Sequence, residues 1–333
     1  MITVVMCVYN TGNYLPKAVD AMIVQTYADF ELLIVDDGST DGSGKVCDEQ
    51  ASRDERIHAF HKPNGGISTA RNFGIDHSNG DFIIFPDPDD WVEPNYLEQL
   101  LSIREKHGVD LSICGHYVDK GDDVKVWNPD AKGQLFNREQ ALMEAMMPHS
   151  FCGYAWNKLY SMDVIRKNGL RFDEKLLNIE DLHFVYLYLQ FCDSVYYDPT
   201  PVMHYNRGSS GVTTYDSPLT PRKLSGLQPY VSIASMAHDK YPQVEKKALG
   251  TLGDTALQYI YFYYHSHMDQ PETLALLRKT LSDNLPFFLE DSTFSPQRKL
   301  LGRIAVVSPR TYCFIFQTKR SLRDTVKKMI RKK

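Results

Sequence analysis

Short apolar runs alternate with amphipathic segments over the first 120 residues of the chain. Runs of strand length occur at residues 4–8, 31–35, 57–60, 82–85 and 111–117. Between the first two, apolar residues recur at helical spacing at Leu15, Val19, Met22 and Ile23. This alternation predicts an α/β domain with a parallel, doubly wound sheet, in which ligands bind beyond the carboxyl ends of the strands.

The pattern changes in the second half of the chain. Asn137 and Gln140 form a capping-box pattern that predicts a helix through Met147, and residues 154–160 and 195–204 predict strands separated by a helix at 179–192. Beyond residue 217 the spacing is helical, at residues 229–238, 243–265 and 272–285. We therefore predict an α/β domain over residues 1–217 and a helical region over 218–318, with the boundary near 215–220.

Composition places the chain among folded globular proteins. Hydrophobic residues make up 43% and charged residues 24%, which excludes collagen-like and disordered classes. The six cysteines have no paired spacing, which favours free thiols in a reducing compartment over disulfides or a zinc site. No window holds 18 consecutive apolar residues, and the first residues form no basic leader. We expect a cytoplasmic protein.

The net charge of −5 hides a basic end. Residues 319–333 carry eight basic residues and one acid, which leaves −12 on the rest of the chain. An acidic body argues against nucleic acid as a partner. In the tail, Leu322, Val326, Met329 and Ile330 would form one apolar stripe among basic residues, and the apolar residues 312–316 extend it. This pattern predicts contact with an anionic membrane surface at the inner face of the plasma membrane, the alternative being a tail packed on the acidic body.

Polar side chains follow the second and third predicted strands. Residues 35–41 (VDDGSTD) have the composition of a turn that caps a helix, but their carboxylates also suit recognition of the base or ribose of a nucleotide. Residues 64–72 place Gly65 and Gly66 before a helix that carries Arg71. That arrangement predicts either an anion site at the helix N-terminus or an exposed helical arginine.

Three carboxylates follow the strand at residues 82–85, at Asp87, Asp89 and Asp90. So much negative charge at the end of a buried strand is costly unless a cation offsets it. Carboxylate oxygens suit Mg²⁺ or Mn²⁺ held together with substrate phosphates. An Asp-Pro turn is the alternative, and the number of acids favours a metal that binds a diphosphate.

Taken in order, these motifs resemble family-2 glycosyltransferases of the GT-A fold, in particular those of bacterial capsule, exopolysaccharide and wall-polymer synthesis. The resemblance rests on Tyr9-Asn10, on residues 35–41 and 64–74, and on Asp87-Pro88-Asp89-Asp90-Trp91. It continues more loosely to Arg207 and fades after residue 217. It implies a Rossmann-like domain with a mostly parallel sheet, followed in this chain by a helical C-terminal region.

The resemblance also implies an activity. Such enzymes transfer a sugar from a nucleoside diphosphate donor, usually a UDP-sugar, to a hydroxyl with inversion at the anomeric carbon. The expected enzyme is therefore a metal-dependent hexosyltransferase or N-acetylhexosaminyltransferase that uses Mn²⁺ or Mg²⁺. The expected acceptor is a glycan, lipid-linked, in the synthesis of a bacterial surface polysaccharide.

Site residues follow from the same resemblance. Tyr9 matches the residue that flanks the base, Asp37 the one that reads uracil, and Arg71 the one near ribose or diphosphate. The implied donor-binding residues are Tyr9, Asp37, Arg71, Asp87, Arg207, Ser209 and Ser210. The implied metal ligands are Asp89, Asp87 and His204, with the part played by Asp90 left open and a structural role for His204 as the alternative.

The resemblance assigns the catalytic base to Asp181. Inversion in a single displacement requires a base opposite the leaving group, and a metal that neutralises the leaving group makes a second acid unnecessary. Glu180 and Asp181 begin the helix predicted at residues 179–192, so acids that complement the helix dipole are the alternative.

Two other functions compete with glycosyl transfer. Asp-x-Asp after an apolar strand also occurs in phosphohydrolases of the haloacid dehalogenase class, but that class has Thr or Val where this chain has Trp91. A non-catalytic module that binds nucleotide sugars or carbohydrate is the second. The carboxylates at Asp37, Asp87, Asp89 and Asp181 argue against a module that has lost its chemistry.

Overall fold

The computed structural model describes residues 1–207 and 218–330, with side chains to residue 320. The chain forms two compact units, Met1–Gly211 and Val212–Lys333. In the described part of the first unit, ten strands belong to one sheet. They are β1 (Ile2–Val8), β2 (Phe30–Asp36), β3 (Ile57–His61), β4 (Phe82–Ile84), β5 (Trp91–Val92), β6 (Leu111–Lys120), β7 (Asp123–Val126), β8 (Gln134–Asn137), β9 (Lys158–Ser161) and β10 (Ser194–Asn206).

The main path of the sheet has the order β3-β2-β1-β4-β9-β6-β10-β5, with β7 beside β6 and β8 beside β10. The pairs among β3, β2, β1 and β4 are parallel, as is the pair of β6 with β10, whereas β9 runs antiparallel between β4 and β6. Every residue of β2 is buried, as a strand covered on both faces requires. The predicted doubly wound α/β architecture is confirmed.

Helices of the first unit connect these strands. They are α1 (Leu15–Ile23), α2 (Ser43–Ala51), α3 (Ile67–His77), α4 (Tyr96–His107), α5 (Arg138–Glu144), α6 (Met162–Asn168) and α7 (Glu180–Leu189). The predicted capping box is present at the start of α5, where the Asn137 side chain accepts from the Gln140 N–H and the Gln140 side chain accepts from the Asn137 N–H. Helix α3 packs closely on β1, because a Cβ at Gly74 would lie 2.4 Å from Val5 Cγ1.

One strand prediction needs correction, and the sequence did not predict the short strands β7 and β8. The strand predicted at residues 154–160 is limited to β9, since the segment before it turns back to surround the ammonium group of Lys158. The short strands β7 and β8 lack a buried apolar pattern, and all four residues of β7 are exposed. Their positions depend on pairing with β6 and β10.

The described part of the second unit is helical. Its helices are α8 (Pro221–Leu224), α9 (Gln228–Ala237), α10 (Pro242–His265), α11 (Pro271–Glu290), α12 (Pro296–Val307) and α13 (Pro309–Ile330). Residues 319–330 of the predicted tail continue α13 without a break. Among the described helices, none combines the length and the apolar character that crossing a bilayer requires.

The core of the second unit changes the interpretation of residues 312–316. We expected these apolar residues to extend the stripe of the tail, but Tyr312 and Cys313 are buried in the core, and Ile315 and Phe316 pack against it. Phe314 is the exception, with 73% of its surface exposed. The apolar run therefore serves mainly to dock α13 within its own unit.

Candidate functional site

Asp37 organises the loop that precedes α3. Its carboxylate accepts hydrogen bonds from the backbone N–H of Gly65 (3.0 Å) and of Gly66 (2.7 Å), and it pairs with the Lys62 ammonium group. Asn64 Nδ2 adds a longer contact of 3.3 Å. Both carboxylate oxygens thus bind the protein itself in this arrangement. The contact of Asp37 with a uracil base stays a prediction.

Tyr9 lies just beyond the carboxyl end of β1. Its side chain is 49% exposed, which leaves surface for a flat ring to stack against it. The following residue, Asn10, has a left-handed φ of 54° and accepts a hydrogen bond from the N–H of Thr40 at 2.9 Å. This bond joins the end of β1 to the loop after β2, as the expected base-binding edge requires.

Arg71 brings together three segments that are far apart in sequence. It is buried on α3, and its guanidinium donates to Glu180 Oε1 at 2.9 Å and to Asp87 Oδ1 at 3.3 Å. These two bonds join the loop after β4 to the N-terminus of α7. We name this loop, which carries Asp87, Asp89 and Asp90, the acidic loop. Arg71 is therefore not the exposed helical arginine that the sequence left open, and its charge lies between the acidic loop and the expected base.

The acidic loop is fixed from the end of β10. Asp90 Oδ1 accepts from the N–H of Asn206 at 2.8 Å, and Asn206 Nδ2 donates to the carbonyl of Asp89 at 3.2 Å. Burial is the main cause that raises the pKa of Asp87, to about 6, with Arg71 opposing and Asp89 adding to the rise. Burial and Asp87 raise the pKa of Asp90 well above its usual range.

Asp181 lies in the first turn of α7, two positions after a strained residue. Ile179 has a φ of 62°, a left-handed conformation that a β-branched residue rarely adopts and that often marks functional sites. Burial, followed by the charge of Glu180, raises the pKa of Asp181 to about 7. A carboxylate with that pKa is suited to take a proton near neutral pH.

Both ring nitrogens of His204 lie within hydrogen-bonding distance of carboxylates. Nε2 lies 2.9 Å from Glu93 Oε1 and Nδ1 lies 3.1 Å from Asp119 Oδ2, while the ring stacks between Trp91 and Tyr117. In this arrangement both ring nitrogens contact carboxylates, and a role of His204 as a metal ligand stays a prediction. Metal ligation by His204 would require these contacts to break.

The loop after β10 is described as far as Arg207. The N–H of Arg207 donates to the carbonyl of Asp119 at 2.8 Å, and its guanidinium lies 5.8 Å from the ring centre of Tyr205. Ser209 and Ser210 lie outside the described residues. A diphosphate clamp made by Arg207, Ser209 and Ser210 stays a prediction.

Comparison with known proteins decides the family. The model of the family described as Glycosyl transferase family 2 matches residues 3–169. The chain belongs to glycosyl transferase family 2. This membership argues against the alternative of a phosphohydrolase of the haloacid dehalogenase class.

Two bacterial glycosyltransferases are similar to this chain. EpsH of Bacillus subtilis, whose name describes a glycosyltransferase, is 33% identical over 242 residues, which cover 72% of this chain and 69% of EpsH. The glycosyltransferase GlyA of Streptococcus pneumoniae is 35% identical over 181 residues, which cover 52% of this chain and 26% of GlyA. The chain thus matches about a quarter of GlyA but more than two thirds of EpsH.

Solved structures share the fold. Residues 1–349 of S. aureus TarS, crystallised in complex with UDP, align with a TM-score of 0.68 at 16% identity, covering 96% of this chain and 91% of that one. The mannosyltransferase PcManGT from Pyrobaculum calidifontis, in complex with GDP-Man and Mn²⁺, aligns with a TM-score of 0.55 at 13% identity, covering 92% and 87%. The expected GT-A fold is confirmed.

The acidic loop of this family-2 enzyme fits a divalent cation shared with a substrate. Asp90 Oδ2 is buried and has no hydrogen-bond partner among the described residues, so a negative charge there needs a proton or a cation to offset it. Within the same residues, no group of three or more His, Cys, Asp and Glu side chains is placed to hold a metal alone. Magnesium and manganese sites of this kind take one or two carboxylates and complete their coordination with phosphates and water.

Two residues of the site carried no sequence signal for their roles. Glu180, expected only as a companion of Asp181, is the partner of Arg71. Lys158 is completely buried, and its Nζ donates to the carbonyls of Cys152 and Tyr154 and to Asn157 Oδ1 at 2.7–2.9 Å. Burial lowers the pKa of Lys158 to about 7. In the sequence Lys158 lies between Asn157 and Leu159, and nothing in that pattern predicts its burial.

Proposed function

We propose that this family-2 glycosyltransferase transfers a sugar from a UDP-sugar to a hydroxyl of a glycan with inversion. The observation that supports it most is the Arg71 guanidinium, which joins Asp87 of the acidic loop to Glu180 beside Asp181. Donor-binding carboxylates and a base with a pKa of about 7 are thus parts of one buried charge network. The TarS complexes with UDP and with UDP-GlcNAc support the choice of donor.

In the proposed reaction, Asp181 takes the proton of the acceptor hydroxyl as its oxygen attacks the anomeric carbon. The bond from that carbon to the diphosphate oxygen breaks, and its electron pair leaves with the nucleoside diphosphate. The arginine at position 71 holds Asp87 and Glu180 in place and offsets their charge. Tyr9 would flank the base with its exposed ring.

Asp87 and Asp89 would hold Mn²⁺ or Mg²⁺ together with the donor diphosphate. Bound there, the cation neutralises the charge that develops on the leaving group. The carboxylate of Asp90 accepts a hydrogen bond from the N–H of Asn206. This bond favours a role for Asp90 in supporting the acidic loop over direct ligation of the cation. His204 supports the same loop from the side by stacking on Trp91.

Binding of UDP is expected to require the metal. Calorimetry with UDP should show binding in Mn²⁺ that is lost when a chelator is added, and Asp89→Ala should lose metal and UDP together because the ion and the diphosphate share its carboxylate. Asp122→Ala, at an exposed turn, is the matched control and should bind as the parent chain does. Equal UDP affinity with and without metal, or a clear preference for another nucleotide, would contradict the donor site.

The basic end of α13 would place the enzyme on the inner face of the plasma membrane, where a lipid-linked glycan is the acceptor. Flotation with anionic vesicles should recover the full chain with the lipid, while a chain cut after Thr318 should float less, because eight basic residues are lost. Neutral vesicles are the control. Equal recovery of both chains in the soluble fraction would remove the tail as an anchor and leave a soluble acceptor.

A further inference from the structure

Helices α12 and α13 turn large apolar side chains outward. Leu300 is 57% exposed and Val307 82%, while Leu301 and Ala305 of the same helix are buried in the core. On α13, Phe314 is exposed in the same way beside the buried Tyr312 and Cys313. Exposed apolar side chains of this size on two consecutive helices are typical of interaction surfaces.

The same stripes carry arginine. Arg303 lies between Leu300 and Val307 at helical spacing, and Arg310 precedes Phe314 by one turn, so both arginines share the faces of the apolar residues. Both are exposed, and neither takes part in an ion pair within the described residues. We name the surface formed by Leu300, Arg303, Val307, Arg310 and Phe314 the corner face, because α12 ends and α13 begins between its residues Val307 and Arg310.

Charge identifies the kind of partner. Residues 292–323 contain seven basic residues and no acid, although the chain as a whole is acidic. Arg298 differs from the arginines of the corner face, since its Nε lies 2.6 Å from Asp254 Oδ1. A second copy of the chain would bring the same unpaired arginines together in a symmetric contact, which is unfavourable. Anionic headgroups would instead neutralise them while the apolar side chains enter the acyl boundary.

We propose that the corner face lies on an anionic lipid surface. The proposal rests on the membrane placement in the proposed function and deepens it, because it assigns contact to a folded surface of the helical unit in addition to the tail. In the sequence, the basic residues that begin at Lys319 follow the corner face.

Vesicle binding of the full chain tests the corner face. The probes are phosphatidylcholine vesicles with and without phosphatidylglycerol. Arg303→Gln with Arg310→Gln should bind the anionic vesicles about thirtyfold more weakly, as expected for two basic residues near the surface. Val307→Ser with Phe314→Ser should also weaken binding at the same anionic content. Matched controls at exposed positions of the same unit, Lys240→Gln with Lys279→Gln and Leu276→Ser, should bind like the parent chain.

Two results would overturn the proposal. Unchanged binding by both corner-face variants, with binding lost on truncation after Thr318, would overturn it in favour of the tail alone. A change in sedimentation of the corner-face variants without a change in vesicle binding would assign the face to contact between copies and overturn it too. Calorimetry with UDP separates this question from donor binding, because corner-face variants should keep the parent affinity whether or not they bind vesicles.

Discussion

Replacement of Asp181 by asparagine is expected to slow sugar transfer by about 10²- to 10⁴-fold while leaving the affinity for UDP unchanged. The substitution removes the group that takes the acceptor proton and keeps the size of the side chain. No donor contact is assigned to Asp181, so the loss should fall on the transition state and not on donor binding. Transfer to acceptor and calorimetry with UDP measure the two quantities separately.

A matched control and a pH profile separate catalysis from structure. Asp163, the first-turn acid of α6, is exposed, and Asp163→Asn should keep near-normal turnover even though it also removes a helix N-terminal charge. Since the pKa of Asp181 is raised to about 7 and the base acts when deprotonated, transfer should fall as pH drops below 7 and level off above it. Near-normal turnover of Asp181→Asn on the true acceptor would show that another group is the base.

Replacement of Arg71 by alanine is expected to lower the free energy of unfolding by about 3–5 kcal/mol and to abolish donor binding. The buried guanidinium contacts Asp87 and Glu180, so its removal leaves one partly exposed and one largely buried carboxylate without their partner. Arg71→Lys keeps the charge but cannot make the same two-pronged contact, and it should lie between the parent chain and the alanine variant. Denaturant unfolding and calorimetry with UDP provide the measurements.

The control for Arg71 is an exposed ion pair of the same unit. Arg53 contacts Asp20 at 2.5 Å, with both side chains largely exposed, and Arg53→Ala should cost less than about 1 kcal/mol. A loss at Arg71 as small as that at Arg53 would mean that the Asp87 and Glu180 carboxylates do not depend on the arginine, and the charge network would not be the centre of the site.

The fold could be predicted where burial imposes a regular pattern. The continuous apolar runs of β1 and β2 and the capping box of α5 have local causes, and the structure confirms them. Pro286 shows the limit of local rules. The helix predicted at residues 272–285 ends before this proline, yet α11 continues to Glu290, with Phe288 buried in the core of the second unit. Tertiary packing there outweighs the cost of a proline.

The site could be predicted as a set of motifs but not as a set of contacts. Arg71 and Glu180 are 109 positions apart, and they meet because the fold brings α3 and the N-terminus of α7 together. Asp37 and His204 show the opposite difficulty. Their side chains have the chemistry of ligand-binding residues, but in the structure they bind neighbouring protein groups, which no spacing in the sequence indicates.

A panel of nucleotide sugars, scored by release of nucleoside diphosphate, tests the central claim most directly when the parent chain and Asp181→Asn are compared in Mn²⁺. The account predicts that the parent chain releases UDP from at least one UDP-sugar in the presence of acceptor, and that Asp181→Asn binds UDP equally well but releases it at least about a hundredfold more slowly. Equal release by both chains, or turnover confined to sugars of another nucleotide, would contradict it.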